Sequence, residues 1–222
     1  ENQQEVVQNE KRQRVDNNPY GHTGWVIDKA IYPEGHPYNW QVIGELVDLQ
    51  SATVADVREF YEKFYGPNNA TLVLVGDFET QEAKAMIEKY FGEVKRGQEV
   101  PKLTPMRTTL EQSKRLYHED NFATTAQLNM VWPTLEQYTE DAYALDVLAE
   151  LISSGKNAPL YKVLEKQKGL SSSYYSFNGS AELAGVFRIS VTANDGKSLK
   201  DVEAGINDAF ELFEKDGVTD RD

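Results

Sequence analysis

Past residue 113 the hydrophobic pattern alternates between a period of two and a period of 3.6, and this succession limits the architecture more than any other feature. Residues 113–118 and 125–131 read as strands, the second stopped by Pro133. Residues 139–153 read as an amphipathic helix whose stripe is Tyr143, Leu145, Leu148, Leu151 and Ile152. A shorter helix over 158–168 is stopped by Gly169, and two strands follow over 171–180 and 185–192. A last helix over 199–215 presents Val202, Ile206, Ala209, Phe210 and Phe213. Strand, strand, helix, hairpin, helix is the pattern of an antiparallel or mixed open sheet with helices on one face, hence an α+β fold.

The preceding residues read differently. Residues 1–16 suit a mostly polar helix with Val6, Val7 and Val15, ended by Asn17-Asn18-Pro19. Residues 20–38, rich in Gly, Pro and aromatics, read as a structured loop. A second helix opens at Ser51 or Thr53 as cap and carries Val54, Val57, Phe60, Tyr61 and Phe64 on one face. A buried strand over 70–75 and a third helix over 80–90 follow; residues 98–106, with Pro101 and Pro105, read as a linker and domain boundary.

Forty per cent apolar residues, with 12 Tyr, 9 Phe and 3 Trp, suffice for a packed core. The 23 basic and 36 acidic side chains give a net charge of −13, which disfavours nucleic acid or an anionic membrane as the main partner. No cysteine is present, so disulfides, thiolate zinc sites and cysteine nucleophiles are excluded together. No apolar run approaches the roughly 18 residues of a membrane span. The chain opens at Glu1 inside a helical pattern and closes at Asp222 inside turn-like chemistry, so a piece of a longer polypeptide is expected.

Phosphate loops, dinucleotide fingerprints, nucleophile elbows and His-Glu-x-x-His are all missing. His22, His36 and His118 are scattered, without the i, i+4 partner of a metal-binding pair, and read as loop or surface residues. Asn69-Ala70-Thr71 and Asn178-Gly179-Ser180 match a glycosylation sequon but read as turn residues. The notable position is Glu10, one turn beyond Val6 on the first helix. If Val6 and Val7 face the core, Glu10 is drawn to the interior edge, where a carboxylate calls for a cation, either a basic side chain or a metal.

Four ordered stretches resemble the pitrilysin/insulinase family of zinc metallopeptidases, which includes the mitochondrial processing peptidases. Glu5-Val6-Val7-Gln8-Asn9-Glu10-Lys11-Arg12 looks like the helix bearing that family's distal glutamate. The segment Tyr32-Pro33-Glu34-Gly35-His36-Pro37-Tyr38, with Ile43-Gly44 after it, looks like a second block. The run from Phe60 through Gly66-Pro67-Asn68-Asn69 to Val75-Gly76-Asp77 and the run from Leu160 to Gly169-Leu170 look like two more.

The resemblance implies repeated α+β sandwich units, with residues 1–104 the C-terminal part of a zinc-bearing unit and 105–222 most of a second, non-catalytic one. It also implies a zinc site built by an inverted His-x-x-Glu-His motif and a distal glutamate, here Glu10, in which zinc activates a water to hydrolyse peptides or small unfolded proteins. No His-x-x-Glu-His occurs in these 222 residues, so the His pair and general base are expected to precede Glu1. The fragment alone is therefore expected to contain no catalytic residue, to hold no zinc and to be inactive. A further family glutamate falls on Gln3, and a substrate-binding Arg and Tyr fall on Glu165 and Ser172. That last departure points to a second half of the same chain as the source of those groups. The implied partners are a peptide or unfolded-protein substrate, the missing N-terminal segment and that second half; the implied location is periplasmic or otherwise extracytoplasmic. A non-catalytic scaffold or peptide-binding relative is the competing expectation.

Overall fold

The computed structural model describes residues 2–218; Glu1 and the turn-like end over 219–222 lie outside the described residues. Its α-helices are α1 (Asn2–Lys11), α2 (Thr23–Ile31), α3 (Leu46–Ser51), α4 (Val54–Phe64), α5 (Thr80–Phe91), α6 (Glu140–Ser153) and α7 (Leu199–Asp216), and the helix expected over 158–168 is a π-helix, Tyr161–Gln167. The strands are β1 (Gln127–Thr134), β2 (Ser173–Asn178) and β3 (Gly185–Thr192). Two compact units result: Glu1–Gly44 with Thr104–Asp222, and Glu45–Leu103. This grouping reflects packing, whereas the expected division at residue 104 concerns repeat units.

In the first unit the strands form one antiparallel sheet in the order β1-β3-β2. Strand alternation turns Phe187, Ile189 and Val191 of the central strand to one side, where they meet Leu160, Leu164, Val202 and Ile206. Each such aliphatic side chain, fully withdrawn from water, contributes roughly 1.5–3 kcal/mol. Ser198 caps α7 by accepting from the Asp201 amide at 3.1 Å. On α6 the inward positions are Ala142, Ala149 and Ile152, with Leu145 and Leu148 half-buried. Tyr143, expected in that stripe, is 56% exposed, because the small residues at 142 and 149 set the rotation of the helix.

The other side of the sheet is not bare. Residues 20–38, expected as a loop, contain the nine-residue helix α2. Ile27 and Ile31, one turn apart, pack with Tyr32 against Val131, Val186 and Ala184 at one end of that side. The Gly and Pro content that suggested a loop belongs to the flanks of the helix, and its short apolar pair was too small to read as a stripe.

The second unit holds α3, α4 and α5. Thr53 begins α4 with a capping box: its side chain accepts from the Asp56 amide while Asp56 accepts from the Thr53 amide at 2.7 Å. Asn68 ties the turn after α4 to residues 97–98, donating to Gln98 O at 2.9 Å and accepting from the Gly97 amide at 2.7 Å. Residues 70–75, expected as a buried strand, form no ladder among the described residues. Extended backbone becomes a strand only when a neighbour takes its hydrogen bonds. Leu72, Val73, Leu74 and Val75 are exposed here, as are Val54, Val57, Phe60 and Tyr61 on the expected inner face of α4. Residues 113–118 likewise carry no ladder.

Candidate functional site

The sequence places the candidate chemistry on α1, and the structure defines how that helix is turned. Val6 is 56% exposed, so the expectation that it faces the core is corrected. The inward positions are Val7, half-buried, and Lys11 one turn later, 8% exposed and paired with Asp16 at 2.9 Å. The Lys11 stem packs while its ammonium keeps a carboxylate partner, which is how a lysine tolerates such a position.

Glu10 flanks that face, its side chain 40% exposed, with Oε1 3.2 Å from Arg14 Nη1. A solvent-exposed i, i+4 pair of this kind is worth only about 0.3–0.5 kcal/mol. The carboxylate is thus held in place weakly and can exchange its partner. Gln3 is exposed on the same helix.

His22 and His118, far apart in sequence, stand with ring centroids 5.6 Å apart, and His22 Nε2 is 3.8 Å from Asp16 Oδ1. Asp120 beside them is engaged by the amides of Phe122, Ala123 and Tyr20, which hold its carboxyl below the usual carboxylate range. Among the described residues no three His, Asp or Glu side chains converge as a metal-binding group. The expected donor toward zinc from this chain is the single Glu10 carboxylate, and a catalytic zinc needs three protein ligands.

His36 has a structural role. It is 3% exposed and stacked on Tyr32; its Nδ1 accepts from the Tyr38 amide at 3.0 Å. Nε2 therefore carries the proton and donates to Met106 O at 2.8 Å. The Met106 amide donates to Leu183 O, and the Leu183 amide donates to the Tyr38 hydroxyl. The Pro-Glu-Gly-His-Pro-Tyr segment is thereby laced to the β2–β3 hairpin. Glu165 accepts from the Tyr174 hydroxyl at 3.2 Å; burial and that carboxylate push the phenol up to about 12. Ser172 Oγ pairs with Asn194 Oδ1 at 3.3 Å. Glu165 and Ser172, expected to stand where the family's Arg and Tyr fall, both make local side-chain contacts.

Sequence reasoning missed Asp28 and Arg188, which face each other across α2 and the sheet. Burial raises Asp28 to about 6, against the lowering effects of its hydrogen bond from Gln41 and the charge of Arg188. Burial lowers the Arg188 guanidinium, with Tyr175 and Asp28 acting in the opposite direction. The only sequence signal was Asp28 lying inside the Ile27–Ile31 spacing of an unrecognised helix.

The family model described as the Peptidase M16 inactive domain matches residues 51–222. The chain belongs to this family, the pitrilysin/insulinase group, and its mixed α+β fold is that of the inactive domain of zinc-protease-like proteins. Zinc protease PqqE of Helicobacter pylori is 28% identical over 225 residues, covering 98% of this chain and 49% of that protein. The crystal structure of a protease from Helicobacter pylori superimposes with a TM-score of 0.84 at 27% identity, over 98% of this chain and 53% of that one. The first half of the periplasmic protease PqqL from Escherichia coli shares the fold alone, with a TM-score of 0.64 at 17% identity over 98% of this chain and 47% of that one. The chain spans about half the length of the curated relative that it matches along its whole extent.

Proposed function

We propose that the polypeptide to which these residues belong is a zinc-dependent endopeptidase acting on peptides or small unfolded proteins in the periplasm or another extracytoplasmic space. This chain contributes its non-catalytic unit and one prospective metal ligand, Glu10. The observation that carries the reading is the Glu10 carboxylate on the rim of α1, beside the buried Lys11 turn and held, among the described residues, by an exposed pair with Arg14. Two histidines and a general base from a segment outside these residues are required, so this chain alone is inactive and no catalytic step is assigned to its side chains.

In this reading residues 1–104 complete the zinc-bearing unit and 105–222 form most of the next. Support comes from the second compact unit. A run of Leu72-Val73-Leu74-Val75 exposed on both faces has the composition of a central strand, and the preceding part of the polypeptide supplies its neighbours. A second half of the same chain supplies the substrate-binding Arg and Tyr that Glu165 and Ser172 replace.

The competing reading is a scaffold or peptide-holding relative, favoured by the match to an inactive domain and by the engagement of Glu10 with Arg14. The deciding experiment measures zinc content and peptide hydrolysis of the full-length protein with and without Glu10→Gln. Loss of both in the variant is expected. Unchanged zinc and unchanged hydrolysis would remove Glu10 from the metal site, and a full-length protein without zinc or hydrolysis would favour the scaffold.

A further inference from the structure

The side of the sheet away from the core helices carries a polar group around β3. Ser190 lies opposite Asn129 on β1 and Tyr175 on β2. Arg188, two residues along on the same side, leans back over that position. Its Nε and Nη2 donate to Asn129 Oδ1 at 3.1 and 2.7 Å, and its guanidinium carbon stands 6.0 Å from the centroid of the Tyr175 ring. Beneath it Ser190 is 1% exposed, and its Oγ has no hydrogen-bond partner among the described residues.

This arrangement is electrostatically unbalanced. Arg188 is half-buried, its two hydrogen bonds to Asn129 share one neutral acceptor, and no carboxylate among the described residues lies within 4.0 Å of it. Asp28 is near enough for its charge to be felt, but its carboxylate is engaged by Gln41. A partly desolvated cation without an ionic partner is costly. A planar guanidinium is shaped for two parallel hydrogen bonds to one carboxylate.

We infer that Arg188, Ser190 and Tyr175 form a binding subsite for a peptide carboxylate, with the Arg188 head group swinging off Asn129 to pair with it. The Ser190 hydroxyl, uncovered by that movement, is the second donor, and the Tyr175 ring, 46% exposed, forms the wall. Asp28 opposes entry of a second negative charge and so sets the selectivity of the subsite. The inference does not rest on zinc: it concerns binding by this chain, and loss of metal from a Glu10 variant leaves it untouched.

The test is calorimetric titration of the full-length protein, freed of zinc by a chelator, near neutral pH with three short N-acetylated alanine peptides. One ends in a free carboxylate, one is its C-terminal amide, and one is the amide carrying a single glutamate. The charged peptides are expected to bind about tenfold tighter than the neutral amide; the better of the two identifies a chain terminus or an acidic side chain as the source. Arg188→Gln should abolish that preference and Arg188→Lys retain part of it. Asp28→Asn should strengthen binding of the charged peptides alone, by roughly threefold, which a purely structural role would not do. Equal affinity for all three peptides, no binding of any, or a preference that survives in folded Arg188→Gln would overturn the inference. Should Arg188→Gln fail to fold, an unchanged preference in Asp28→Asn overturns it equally.

Discussion

Replacing Asp28 by asparagine isolates the electrostatic cost of packing α2 on the sheet. Burial holds this carboxyl at about 6, above its ordinary 3.8. The folded state therefore binds the proton more tightly than the unfolded chain, and ionisation costs stability above the folded value. That cost fades as pH falls from about 6 to 3.8 and is absent below. Taken at face value the displacement corresponds to about 3 kcal/mol; the side chain is only half-buried, and solvent screening reduces this to about 1 kcal/mol. Asparagine keeps an acceptor for Gln41 and removes the charge. Urea unfolding followed by circular dichroism, repeated across pH, should show Asp28→Asn more stable by about 1 kcal/mol near neutrality. The gap should close as pH approaches about 4, where both proteins are uncharged at this position. A variant less stable at neutral pH, or a gap that does not change with pH, would refute the reasoning.

Three further outcomes follow from the geometry. A Cβ added at Gly205 on α7 would lie 2.7 Å from Leu164 Cδ2 and 2.8 Å from Leu170 Cδ1. Gly205→Ala should therefore lose about 1–2 kcal/mol in denaturant unfolding, because overpacking by about 1–3 kcal/mol outweighs the gain of about 1 kcal/mol in helix propensity; a more stable variant would contradict this. Ser198→Ala removes the cap of α7 and should cost about 1 kcal/mol by the same measurement, whereas unchanged stability would show that the cap adds nothing. Glu136 is held at about 2 by two hydrogen bonds from Arg107, at 2.6 and 2.9 Å. The stabilisation from that pairing is present above 4.5 and is lost as pH falls toward about 2. An NMR carboxyl titration of Arg107→Gln should find Glu136 back near its ordinary 4.5; a value still near 2 would assign the shift to another cause.

The elements from residue 125 onward were legible from their strong periods, although Pro133 does not stop β1, which stays paired through it to Thr134. The strand over 185–192 and the helix over 199–215 follow from alternation and the i, i+3, i+4 stripe; the Ser198 cap is read from the structure. The expected strand at 70–75 shows the limit of that logic. Its run of Leu and Val describes an environment buried on both faces, but the described residues of its unit supply no neighbouring strand, so the segment has strand composition without strand pairing. Tyr143 illustrates a finer limit, since two alanines decided which edge of α6 turns inward. Glu10 was legible as a candidate through motif resemblance, whereas its pairing with Arg14 is a local fact that required coordinates.

The sequence by itself determined the period of each C-terminal element, a cap for α4 at Ser51 or Thr53, and the family, because these depend on residues within one or two turns or on ordered motifs. The tertiary structure decided that α2 lies on the polar side of the sheet, that His36 bridges to Met106, and that Asp28 confronts Arg188. These contacts join residues 70 or more positions apart. No local periodicity encodes such a meeting; it follows from how folding closes the chain over a shared core, and it sets the charges and burial on which any function of this face depends.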